Sequence, residues 1–186
     1  MDKQTYERLV LPIDGGPSFA SKAKYAYSFP EETGLSYDDA YVWVEALGWD
    51  AMGKNAAAIY RTFVDAGVPA EYVRRVRPSL NLYTVNDAVM FIAFYKAGVS
   101  ASYSRAMWSW PPTTVLRFHG EKVDPGYGVL PSGEVERLAP ADVLHLHRAG
   151  APPEYAVPLL RKGLRGQVVA EMWSSGIPLE YALTLP

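Results

Sequence analysis

The sequence predicts an all-α fold, an array of short helical hairpins, and three observations carry that prediction. The same stretch of text recurs four times: "DAGVPAEYVRRV" from Asp65, "KAGVSASYSRAM" from Lys96, "RAGAPPEYAVPLL" from Arg148 and "SSGIPLEYALTL" from Ser174. Apolar residues stand seven and four positions before each recurrent glycine, which is the spacing of one helix face. The glycines Gly67, Gly98, Gly150 and Gly176 are 31, 52 and 26 residues apart, and intervals of that size belong to stacked helical hairpins.

The bulk properties agree. A chain of 186 residues, 49% hydrophobic and 20% charged, is large enough to bury a core without staples. There is no cysteine, which excludes disulfides, thiolate zinc sites, iron–sulfur clusters and a cysteine nucleophile. The formal net charge of −2 gives no general attraction to nucleic acid or to an anionic membrane surface. The longest strongly apolar run, "AVMFIAFY" at 88–95, is far short of the roughly 20 residues that span a bilayer. With no signal-like run in "MDKQTYERLV", a cytoplasmic protein without membrane association is expected.

Residues 1–33 read as an N-terminal arm of mixed polarity, with "IDGGPS" and "FPEETG" as turn signals. Residues 34–186 read as one helical-repeat domain. A half-copy, "TGLSYDDAYVW" around Gly34, opens it, and Ser36 with Asp38 and Asp39 supplies helix-start chemistry.

In the four full copies, Phe63, Phe94, Leu146 and Met172 stand four before glycine, and Tyr60, Phe91, Val143 and Val169 stand seven before. Glycine then ends the helix in the left-handed conformation that other residues resist. Pro69, Ser100, Pro152 or Pro178 follows two residues on, then an acid in three of the copies, as a second helix requires at its start. The pairs Tyr72–Val76, Tyr103–Met107, Tyr155–Leu159 and Tyr181–Leu185 share one face of that helix. The 52-residue gap is twice 26, which leaves room for a degenerate unit between Gly98 and Gly150.

Residues 109–133 break the pattern, with Pro111, Pro112, Pro125, Pro131 and four glycines. There Thr114, Leu116 and Phe118 alternate with Val115, Arg117 and His119, so an irregular insert holding a short strand or small hairpin is expected.

Two resemblances follow from these residues. "AGVSASYSRAM" resembles the turn and second helix of helix-turn-helix repressors, and that resemblance implies DNA contact by the second helices. Here the chain departs from the motif: large residues, Phe63, Phe94, Leu146 and Met172, occupy the place where crossing helices need a small one. The fuller string, an apolar helix followed by "AGVPxEY", resembles helical segments in uncharacterised proteins of actinobacteria and their phages. Over most of residues 55–186 it implies an all-helical build and carries no activity.

Enzyme signals are sparse. His145 and His147 are two apart on a helix and face different ways, and His119 lies in the insert near Glu121 and Asp124. No phosphate loop, nucleophile elbow or HExxH occurs, so no cofactor or metal is expected.

The functional expectation is a non-enzymatic scaffold or adaptor. Its partner-binding candidates are Trp108, Trp110 and Trp173, because tryptophan is enriched at binding hot spots. Leu183 and Leu185 join them, because the last copy lacks the polar face that closes a repeat array. A protein partner or self-association at that C-terminal end is expected. The first alternative is a DNA-binding regulator using Arg74, Arg75, Arg77 and Arg105. The second is an enzyme with its site around His119.

Overall fold

The computed structural model describes residues 1–10, 19–129 and 139–185. Among them every regular element is helical. They form two compact units, Met1–Ala101 and Ser102–Pro186.

The first unit begins with α1 (Lys3–Leu9) and α2 (Phe19–Thr33). The side chain of Asp2 caps α1 by accepting from the Thr5 amide at 2.7 Å. The buried Tyr6 hydroxyl donates to the Ala26 carbonyl at 2.7 Å and ties α1 to α2. The arm is therefore part of the packed unit. The "FPEETG" turn signal needs correction. α2 continues through Pro30, and the turn comes at Gly34, whose φ is +75°. The "IDGGPS" signal lies outside the described residues.

Next come α3 (Tyr37–Leu47), α4 (Ala56–Asp65), α5 (Ala70–Val76) and α6 (Val85–Lys96). Ser36 caps α3, its hydroxyl accepting from the Asp39 amide at 3.2 Å, and Thr84 with Asp87 forms a reciprocal capping box on α6. α3 packs on α5, and α4 packs between α2 and α6. Rings from four helices make the centre: Phe29 and Trp43 meet Tyr60 edge-on, Trp43 stacks on Phe63, and Phe63 meets Phe91 edge-on at 5.8 Å. Each buried ring contributes about 1.5–3 kcal/mol of apolar transfer.

The second unit holds α7 (Ala101–Ala106, its first residue in the first unit), α8 (Pro112–Gly120) and a 3-10 turn at Pro125–Val129. α9 (Pro140–Arg148), α10 (Pro153–Arg161), α11 (Gly166–Ser174) and α12 (Leu179–Ala182) complete it. α11 packs on α9 and α10.

The expected strand at 114–119 is overturned, because those residues lie within α8. Pro111 and Pro112 occupy the N-cap and first helical position, where a missing N–H costs nothing. Val115 and Phe118, three apart, are the buried face. Six residues of alternation were too few to distinguish a strand from that helix face. The described part of the supposed irregular insert is thus a helix, a turn and a 3-10 turn, while 130–133 lie outside the described residues.

One backbone device recurs in both units. The Gly67 amide donates to Val64 O and the Val68 amide to Phe63 O, both at 2.9 Å, the paired bonds of a Schellman turn. The same two bonds occur at Gly98, Gly150, Gly163 and Gly176. They also occur at Lys122, whose amide reaches His119 O while that of Val123 reaches Phe118 O. Lys122 has φ +58°, the single positive φ outside glycine among the described residues. It is the punctuation of the degenerate unit between Gly98 and Gly150. The residue four before the turn is fully buried at Phe63, Phe94, Phe118, Leu146 and Leu159. Bulk at this position fills the crotch of the hairpin.

A left-handed residue with a Cβ costs roughly 1–2 kcal/mol, part of which glycine returns as chain entropy. Lys122→Gly is therefore expected to stabilise the protein by up to about 1 kcal/mol, and Gly150→Ala to destabilise it by a similar amount. Urea unfolding of the two variants beside the parent checks both signs.

Candidate interaction surface

A tyrosine stands five residues after five of the left-handed positions: Tyr72, Tyr103, Tyr127, Tyr155 and Tyr181. Four of them make one and the same bond. Tyr72 OH donates to Val99 O at 2.7 Å, within the first unit. In the second unit Tyr103 OH donates to Val123 O at 3.1 Å, Tyr127 OH to Ala151 O at 2.6 Å and Tyr155 OH to Ile177 O at 2.9 Å. Every acceptor is the carbonyl immediately after the next left-handed residue that is itself followed by a series tyrosine, so Tyr155 passes over Gly163 and reaches the Gly176 turn. Each hairpin is thereby latched to the turn of its successor.

The rings repeat as well. Tyr72 meets Tyr95 edge-on, Tyr103 meets His119 and Tyr155 meets Trp173, with centroids 5.0–5.1 Å apart. Tyr95, His119 and Trp173 each stand three before their turn residue. Three of the four latches therefore combine an edge-on aromatic contact with a carbonyl acceptor, while that of Tyr127 is described by its hydroxyl bond. Burial pushes the Tyr72 and Tyr103 phenols up to about 12, helped by Tyr95 and Asp124 respectively. It raises those of Tyr127 and Tyr155 in the same direction.

Tyr181 is the fifth member of the series and differs from the others. It is 60% exposed, and among the described residues its hydroxyl has no carbonyl partner. Around it, Leu183 and Trp173 are exposed and Leu185 is half-buried. Lys162 reaches over from α10 and donates to the carbonyls of Leu183, at 2.8 Å, and Leu185. A cation thus holds the end of α12, as the negative pole of a helix favours.

The remaining candidates fall apart spatially. Trp108 is 70% exposed, whereas Trp110 is 5% exposed and lies edge-on against Phe118. α8 folds over one tryptophan and leaves the other in solvent, so only Trp108 is available as a surface anchor. Arg74 and Arg75 both bind Glu71, at 2.8 and 2.6 Å, and those guanidinium groups hold its carboxyl below the usual range. Arg105 is exposed on α7, and Arg77 is half-buried at the end of α5.

His119, Glu121 and Asp124 have separate structural partners. His119 is the ring beneath Tyr103, Glu121 is gripped through both oxygens by Arg148, and Asp124 accepts from the Gly126 amide. His147 contacts the Glu121 carbonyl at 2.9 Å. Among the described residues no three His, Asp or Glu side chains gather as metal ligands, and no helix is long and apolar enough to cross a membrane.

Sequence reasoning missed the Lys122 and Gly163 turns because it keyed on glycine followed by a Pro or Ser and an acid. Val115, Phe118 and Tyr127, at seven before, four before and five after Lys122, were the available signal. The chain matches no protein-family model, no curated protein and no solved structure.

Tyr127→Phe removes a buried latch donor and strands the Ala151 carbonyl, at an expected cost of about 1–3 kcal/mol. The raised phenols also give stability a pH dependence. The folded protein keeps protons that free tyrosines release near pH 10. Their stabilisation is complete below about pH 10 and is lost as pH rises through about 12. Denaturant midpoints falling across that window, with a shallower fall in Tyr72→Phe, are the expected result.

Proposed function

We propose that the protein is a non-enzymatic, cytosolic scaffold or adaptor that binds protein through its helical repeats. The observation that supports this reading is the tyrosine series. Four tyrosines each engage the turn of a following hairpin, while Tyr181, of the same pattern, stands 60% exposed beside Trp173, Leu183 and Leu185. This end is the contact surface of the proposal, for a second copy of the chain or another protein, with Trp108 as a further anchor. Aromatic and leucine side chains at such an end lose water on contact, which is the usual source of affinity in protein interfaces.

The DNA-binding alternative draws on Arg74, Arg75, Arg77 and Arg105, and Glu71 weakens it by engaging Arg74 and Arg75 and offsetting one of their two charges. The separate structural partners of His119, Glu121 and Asp124 likewise leave the enzyme reading without a supporting constellation.

The test is light scattering over a concentration series. Mass is expected to rise with concentration in the parent and to stay monomeric in Leu183→Asp/Leu185→Asp. A folded monomer in both, at every concentration, removes self-association from the proposal.

A further inference from the structure

In the first unit a cavity of about 260 Å³ opens between α1 and the end of α3. Its apolar walls are Leu9, Val10, Val44 and Trp49. Leu9 is exposed at its mouth, while Val10 and Val44 are buried. Arg77 projects into it from the 3-10 turn that follows α5. The guanidinium lies in the space that a side chain at residue 48 would fill, because a Cβ on Gly48 would collide with Nη1. Gly48 itself ends α3 with φ +75°, so glycine is needed there for backbone and for room.

The arginine is unsatisfied. Its Nε is buried with no hydrogen-bond partner, and among the described residues none of its nitrogens joins an ion pair. A buried donor on a charged group left unmade costs about 1–3 kcal/mol or more. The negative pole of α3 offsets part of that cost, yet among the described residues no carbonyl accepts from the guanidinium. Glu45 lines the same cavity as its single acid and is exposed. It stays unpaired with Arg77.

We infer that this cavity binds a small organic acid, with the carboxylate on Arg77 and an apolar body against Leu9, Val44 and Trp49. The planar guanidinium fork matches a carboxylate in geometry, and the match strengthens where water is excluded. One arginine opposed by one acid leaves the lining with no net charge, which suits a monoanion and disfavours a dianionic phosphate. A volume of about 260 Å³ accommodates a ligand on the order of ten heavy atoms, below the drug-sized range. The site involves neither the tyrosine latches nor the C-terminal end, so it stands independently of the scaffold reading.

Phenylacetate is a suitable probe, with phenylacetamide as its uncharged analogue and inorganic phosphate as the competing anion. Titrations of the full chain are followed by two-dimensional NMR at the Trp49 indole N–H, the Arg77 Nε–H and the Leu9 and Val44 methyls. Phenylacetate is expected to give saturable shifts at these four residues, with binding at least about tenfold weaker for phenylacetamide. Arg77→Gln is expected to lose about tenfold or more in affinity, and Glu45→Gln to gain severalfold by removing the competing acid. Equal binding of phenylacetate and phenylacetamide, tighter binding of phosphate, or no saturable shift overturns the inference. Should Arg77→Gln fail to fold, the two-ligand comparison on the parent and the sign of Glu45→Gln decide the matter.

Discussion

The left-handed residue at the foot of each hairpin is the constraint on which the rest of this structure depends. It reverses the chain within two residues, closes two backbone bonds and presses the side chain four positions earlier into the core. Because that side chain is usually phenylalanine or leucine, local backbone geometry and core packing are specified together. Agreement of this kind between levels is what gives a sequence one preferred fold. Position 122 shows how strong the requirement is: a lysine accepts an unfavourable φ sooner than the turn is abandoned.

The tyrosine latch extends this local rule to the next unit. A hairpin of helices no longer than twelve residues has little stability alone, and each latch adds a hydroxyl bond to the next turn, with a ring contact beside it at Tyr72, Tyr103 and Tyr155. The acceptor is a turn carbonyl, which helix bonding leaves unused, so the latch competes with nothing else. The position after each latch tyrosine is small or branched for a related reason. Val73, Ser104 and Ala156 are buried there, and Gly128 lies so close to the Ala106 carbonyl that no side chain would fit.

The all-helical class and the four glycine turns were legible because the apolar spacing and the φ > 0 signal coincide at Gly67, Gly98, Gly150 and Gly176. The Lys122 turn was harder to read, since lysine carries no local sign of a left-handed backbone and Pro111 and Pro112, well upstream of it, suggested disruption. Those prolines start a helix, a role that depends on their position at its first turn. Of the candidate surface residues, Trp108 and Trp110 could be separated only by seeing which face α8 covers. Arg77 was legible as a cation and nothing more. Its significance comes from Gly48, 29 residues away, and from a wall supplied by α1, which no spacing in the sequence connects.

The contact of Lys162 with the carbonyls of Leu183 and Leu185 has a consequence for the last turn of the chain. α12 has four residues, too few to persist without outside support. The lysine ammonium supplies that support across 21 residues of sequence. Its charge can be cancelled by acylation, a modification that leaves the backbone intact but abolishes the donor. The exposed face carrying Tyr181 would then lose its preset geometry, and order at one extremity would answer to the chemical state of a single distant amine.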